Sequence, residues 1–323
     1  METEIVACQK IDVHGKIFFS GELVERFIRF VGVSEKSAST YKIALRQLHR
    51  YFQACDISTP TRADIENWRD KLISEKKSAA TVQLYLTSVK IFFRWLNQEQ
   101  IYPNIADHLK SRVKISHEHK KDALTAAQAG NLLKSVKGDD VKAKRDRAIL
   151  ALMMTAGLRT IEVERADCGD MINQFGKTYL LIQGKGRSAK DAKVLVPLQV
   201  VKMIQEYWKV RGRITAAEPL FTSTGNRNRG QRLSTQAISK MVKAAFRNVG
   251  MDTPRLTAHS LRHTAATTMI LSGVELTQVQ QVLRHVNINT TMIYNNAVER
   301  MKNTAEQTAA DSIFGEVVAN AKN

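Results

Sequence analysis

The sequence has only three cysteines, Cys8, Cys55 and Cys168, far apart and with no Cys-x-x-Cys pair. So odd and scattered a set argues against a disulfide framework and a zinc site, and suits reduced thiols in the cytoplasm. No apolar run approaches the ~18 residues of a membrane span and no signal-peptide pattern opens the chain, so a soluble protein without membrane partners is expected. Acidic residues are scarce as well: 31 Asp and Glu stand against 49 Lys and Arg, a formal charge of +18. Such a surplus asks for a polyanion, most simply nucleic acid, although a ribosomal or membrane-surface protein would share it. What remains is ordinary globular material, 43% hydrophobic and 25% charged. The 323 residues provide for about two domains at the usual ~100–200 residues each.

Residues 1–17 carry no sustained period and are expected to form a flexible arm. From 18 to 109 the pattern is helical. Leu23, Phe27, Phe30 and Val31 make one stripe, and Tyr41, Leu45, Leu48 and Phe52 a second. Thr61 is placed to cap a helix with Ile65, Trp68 and Leu72, and a fourth helix opens near Ser78 with Val82, Leu86, Val89, Phe93 and Leu96 on one side. Four helices predict a small bundle whose aromatic stripes are core rather than base-stacking surface. Lys76, Lys77, Lys90 and Arg94 fall outside the stripes, on a face that is either solvated or laid on phosphates. Residues 110–121 (KSRVKISHEHKK) read as a basic linker. His117 and His119 within it have no further ligands beside them, so no metal is expected.

A second domain is predicted over 122–296, with Thr125 capping its first helix. Asp146 to Ala156 is apolar nearly all round and predicts a buried helix, which Gly157 ends. That delivers Arg159 to the junction with the next helix, with Glu162 three residues on to orient it; a purely structural Arg–Glu pair is the alternative. KTYLLIQ (177–183) and KVLVPL (193–198) predict a hairpin whose GKGRSAKDA turn presents Lys185 between two glycines. Arg187 and Lys190 share that turn and compete with Lys185 as its working cation. The GKG lacks the spacing of a P-loop. Residues 221–232, with Arg227, Arg229 and Arg232, form a basic loop, and Ser234 caps a helix that turns Lys240, Lys243 and Arg247 outward; this region reads as a face for a DNA backbone.

The stretch 255–296 concentrates groups that suit a phosphate. His259 and Arg262 share a helical face. Gly273 stops that helix, a second runs from about Leu276 to His285, and Tyr294 follows nine residues later. A guanidinium matches phosphate oxygens as a fork, histidines donate or move protons, and a tyrosine hydroxyl attacks. A metal-dependent nuclease would want a close Asp/Glu cluster near the arginines, and none is evident.

H-x-L-R-H (259–263), L-x-H (283–285) and T-T-x-x-Y (290–294) together resemble the C-terminal signature of the tyrosine recombinase, or phage integrase, family. TAGLRTIEV (155–163) resembles its first arginine box, the GKG hairpin its lysine, and the helical bundle its SAM-like core-binding domain, so the resemblance spans nearly the whole chain. Arg284 departs from it, standing where glycine is usual, and Asn296 stands where histidine is common. The resemblance implies a mainly α fold with a small β-hairpin: a helical core-binding domain and a mixed α/β catalytic domain, clamped in a C shape on duplex DNA. It implies that Arg159 and Arg262 hold the non-bridging oxygens, Tyr294 attacks to give a 3′-phosphotyrosyl bond, His259 takes its proton, His285 bonds the phosphoryl oxygen and Lys185 protonates the leaving 5′-oxygen. No metal, ATP or other cofactor is implied. The tail 297–323, with Ile313, Phe314, Val317 and Val318, would dock on a neighbouring protomer in a homotetramer on two sites, built from chains that are monomeric off DNA, with or without an accessory protein or a second recombinase. The expected setting is a bacterial cytoplasm, on the nucleoid, the gene of host or mobile-element origin. Rivals are a type IB topoisomerase, which the tail and the two-domain length disfavour, and a catalytically silent DNA-binding protein.

Overall fold

A computed structural model describes residues 20–113, 122–184 and 186–320, with 315–320 as backbone alone. The expected arm, His117, His119 and Lys185 lie outside the described residues. The chain divides into two compact units, 1–116 and 117–323.

The first unit consists of α1 (Gly21–Val31), α2 (Glu35–Ala54), α3 (Arg62–Ser74) and α4 (Ala79–Gln98). Ser20, Ser34 and Ser78 each accept a hydrogen bond from the backbone N–H three residues on, which satisfies an otherwise orphaned donor. At α3 the roles reverse: Thr61 donates its N–H and its hydroxyl to Asp64, each at 2.7 Å. The four stripes meet as predicted, with Phe27, Phe92 and Trp95 packed ring on ring at 5.1–5.9 Å. Each such ring removed from water is worth about 1.5–3 kcal/mol. Phe30 is the exception, 56% exposed: it sits in the last turn of α1 and leans on Trp95 at the rim. The chain after α4 also belongs to this unit. Ala106 and Leu109 are buried, Arg69 donates to the carbonyl of Lys110, and Arg112 pairs with Asp70. Residues 110–113, expected within the linker, are therefore fastened to α3.

The second unit runs α5 (Ala126–Ser135), α6 (Val141–Ala156), α7 (Thr160–Arg165), a 3-10 turn (Cys168–Asp170), β1 (Met171–Gln174), β2 (Lys177–Ile182), β3 (Ala192–Leu195), α8 (Leu198–Arg211), α9 (Thr235–Asn248), α10 (Ala258–Leu271), α11 (Leu276–Leu283), α12 (Asn289–Lys302) and α13 (Ala305–Asn320). Its core is α6, packed between α8 and α10. That helix begins five residues before the apolar run suggests, on an Asp140 cap, because its polar residues satisfy one another. Arg145 and Asp146 are both buried and paired at 2.6 Å, and Arg145 also donates to the carbonyl of Thr222. The strands form one antiparallel sheet in the order β1-β2-β3, with Leu180 opposite both Met171 and Val194. Strand β3 stops at Leu195, short of the predicted Leu198, which instead opens α8 behind Pro197. Helices α10, α11 and α12 enclose a second apolar cluster that contains Tyr294. The tail is helical but not continuous: α12 ends at Lys302, and α13 starts afresh beyond Asn303, whose side chain accepts from the N–H of Ala305.

Candidate active site

Gly157 closes α6 in the left-handed region, φ +61°, where an L side chain is strained. A Cβ there would also stand 2.7 Å from Cδ2 of Leu283, so any other residue would strain the turn and push that side chain aside where the end of α6 meets the end of α11. Two residues on, Arg159 is the N-cap of α7 and joins Glu162 twice: its backbone N–H and its guanidinium each donate at 2.8 Å to the Glu162 carboxylate. The Glu162 side chain is fully buried. Burial alone would raise its carboxyl, but Arg284 and then Arg159 outweigh that and hold it below the usual range.

From α10, buried Arg262 donates to the carbonyls of Gly157 and Leu283 and lies 4.0 Å from Glu162. Its Nε is buried without a hydrogen-bond partner among the described residues. Desolvation, with Arg159 and Arg284 nearby, presses its guanidinium down to about 9, and it stays charged at neutral pH. Arg284 follows α11 and donates to Glu162 at 2.7 Å. One carboxylate therefore sits among three guanidiniums.

His285 comes next in the chain. Its Nδ1 is 2.8 Å from the hydroxyl of Thr291, and its ring lies nearly parallel to that of Tyr294, 6.2 Å away at 8°. Burial, then Arg262, Arg159, Arg284 and His259, lowers His285 to about 4, so it is neutral at pH 7. Tyr294 is in the second turn of α12 and 4% exposed; burial raises its phenol, against a downward pull from Arg262 and Arg159. The other ring against Tyr294 belongs to His263, 5.0 Å off, and exposed His259 stands edge-on beyond it at 4.7 Å.

Arg159, Arg262, His285 and Tyr294, brought together across the chain, thus share one neighbourhood, with Glu162 at its centre. Arg187, Asn287 and Thr290 join Arg159, Arg284 and His285 around an open cavity of about 480 Å³. Arg187 pairs with exposed Asp191 at 3.3 Å. Lys190 is held elsewhere, 2.6 Å from Asp167 and 2.5 Å from Asp170. Arg232 pairs with Asp167 and donates to the carbonyls of Glu164 and Ala166. Lys243 is likewise occupied, by Asp252 and the carbonyls of Thr253 and Leu256. Arg227 and Arg229 are exposed on their loop; in the first unit Lys76, Lys77 and Arg94 are exposed and Lys90 half-buried.

Residues 122–301 match the family model for the phage integrase family, and residues 24–100 match the phage integrase N-terminal SAM-like domain. The chain belongs to the phage integrase family. Its relatives within that family include the tyrosine recombinase XerD of Listeria innocua, 28% identical over 310 residues that cover 88% of this chain and 98% of XerD. Among solved structures, XerH site-specific recombinase bound to its palindromic difH substrate shares the fold with a TM-score of 0.71 at 20% identity, covering 90% of this chain and 84% of XerH. The Tn1549 transposon integrase, in complex with circular intermediate DNA, gives 0.65 at 18% identity over 84% of this chain and 94% of the integrase fragment. As an integrase-family enzyme, the chain is a site-specific tyrosine recombinase.

Proposed function

We propose that the chain breaks and rejoins duplex DNA through a covalent bond between Tyr294 and a 3′-phosphate. The observation that carries this reading is Tyr294 beside His285, at the edge of a site with three guanidiniums and one carboxylate. A phosphodiester resists attack because it is anionic and its leaving alkoxide is poor, so a positive site answers the first difficulty. Arg159 and the unused donors of Arg262 face the non-bridging oxygens. If Thr291 donates to Nδ1 of His285, the neutral ring carries its proton on Nε2 and donates it to a phosphoryl oxygen. The Tyr294 oxygen attacks phosphorus as the bond to the 5′-oxygen breaks; the phenol proton leaves toward His259, past His263, and Lys185 supplies a proton to the departing oxygen. The tyrosyl ester keeps the bond energy, so a 5′-hydroxyl on another strand reverses the step.

Lys76, Lys77, Lys90, Arg94, Arg227 and Arg229 fit the DNA-backbone role; Arg232 and Lys243, already engaged, are left out of it. Ile313 and Phe314, 61% and 65% exposed on α13, support docking of the tail on a neighbouring protomer in a homotetramer. A soluble, nucleoid-bound protein is the setting that fits, and an origin on a mobile element is compatible with integration chemistry.

The Tyr294→Phe variant tests the chemistry. It should bind a nicked suicide duplex like the parent and give no covalent adduct on a denaturing gel; a persistent adduct would mean another nucleophile. Truncation after Thr304 should spare binding to one half-site and abolish cooperative binding to two, read by band shift; unchanged cooperativity refutes tail docking.

A further inference from the structure

We infer that Arg284 is a positioning residue for strand cleavage: it shares the Glu162 carboxylate with Arg159 and so leaves Arg159 and Arg262 with the positive charge to engage a scissile phosphate. This rests on the recombinase reading above. The first observation is conformational. Arg284 holds φ +55° and ψ +45°, a left-handed backbone that glycine adopts freely and arginine does not. A strained backbone persists where its surroundings fix it, and here the side chain does so. Its Nη2 and Nε approach the two oxygens of Glu162 at 2.7 and 3.4 Å, its Nη1 donates to the carbonyl of Val282 at 2.5 Å, and only 12% of the side chain is exposed.

The second observation is the charge balance. The groups that face Glu162 are Arg159 from the start of α7, Arg262 from α10 and Arg284 from the end of α11. Without Arg284, the single negative charge of Glu162 would be shared by Arg159 and Arg262 alone, the two cations assigned to the phosphate. With it, two positive charges remain uncompensated, beside the cavity that Arg159, Arg284 and His285 line together. Arg284 also supplies the largest electrostatic pull keeping Glu162 ionised.

The experiment compares the full chain with Arg284→Gly, Arg284→Lys and Arg284→Met. Nicked duplexes are first selected from a random-sequence pool by covalent capture on the parent chain, and single-turnover adduct formation is then followed from pH 5 to 9. Glycine relaxes the backbone, so Arg284→Gly should melt no lower than the parent. Its cleavage rate should fall ~10–100-fold, with DNA affinity changed less than about threefold. Its acid limb should move to higher pH, because Glu162 protonates more easily once Arg284 is gone. Arg284→Lys, which keeps the charge and loses the fork, should recover part of the rate and most of the acid limb; Arg284→Met should recover neither. A glycine variant with the parent's rate and acid limb overturns the inference, as does a rate loss that merely follows a lower melting temperature. If the parent itself captures no DNA, the recombinase reading falls and this inference with it.

Discussion

Two ionic clusters lie close in sequence within the second unit and are built differently. Around Glu162, one carboxylate meets Arg159, Arg262 and Arg284. Around the 3-10 turn, Asp167 and Asp170 meet Lys190 and Arg232. The second cluster balances two negative charges with two positive ones and binds the β2–β3 turn and the 221–232 loop to the 3-10 turn. It keeps no attraction for an anion. The first has cations to spare and opens on a cavity. Surplus charge, rather than the number of charged groups, separates the cluster proposed to meet a phosphate from the scaffold.

Deleting one cation from each cluster puts the contrast at greatest risk. Arg159→Ala should slow covalent adduct formation about 10²–10³-fold, the usual effect of removing one donor to a developing oxyanion. It should barely move the melting temperature. Lys190→Ala should do the reverse: it leaves Asp170 partly buried without its ammonium, a loss of about 1–3 kcal/mol in stability, while the cleavage rate of the folded protein holds. A folded Lys190→Ala protein that cannot cleave would place Lys190 in the reaction and erase the distinction.

Acid should separate the clusters less sharply. His285 is held near 4 in the folded chain against an ordinary value of about 6.5, so below pH ~6.5 the unfolded chain takes up a proton that the folded one refuses. The stability tied to it is complete above pH ~6.5 and is lost as pH falls toward 4. Asp167, also depressed, loses its contribution only as pH falls below the ordinary carboxylate value near 4. Melting curves from pH 8 to 3 should therefore show an early loss that His285→Asn reduces and Asp167→Asn does not. An early loss unchanged in His285→Asn would assign it to another group.

The smallest effect concerns DNA affinity. If Lys76 or Arg94 touches a phosphate, its replacement by Ala should lower the slope of log affinity against log salt by about 0.9, whereas Arg232→Ala should leave the slope alone. Equal slopes for all three would leave the exposed lysines and arginines as a solvated face.

The helices were legible from residues 20 to 98 because stripe and cap agree there at every turn, and the grouping of Arg159, Arg262, His285 and Tyr294 because the spacing of their motifs is joint. Sequence shows order along the chain but not which acceptor takes a cation across it. Arg232 and Lys243 read as backbone contacts for that reason, although Asp167, 65 residues away, and the loop at 252–256 already hold them. Strand β1 and helix α8 passed unread: MINQ has no clean alternation, and α8 follows a proline inside what looks like a strand. The contact of His263 with Tyr294 is likewise invisible in the sequence, where the two stand 31 residues apart (294 − 263). Arg284 did leave a signal. An arginine where glycine is expected implies a left-handed backbone with a reason to endure it, and Glu162, the reason, stands 122 residues earlier.

The carbonyl of Gly157 accepts from Arg262 and lies within 3.5 Å of Arg284, and its missing side chain leaves room for Leu283. One residue without a side chain is thus the keystone on which two remote segments, α10 and the end of α11, converge. Among divergent or decaying copies of such a gene, Arg159, Arg262 and Tyr294 can all survive while a side chain at position 157 strains the backbone and pushes Leu283 aside. Screening for intact enzymes by their nucleophile and arginines alone would therefore count broken copies as working ones; adding this glycine to the criteria would remove them.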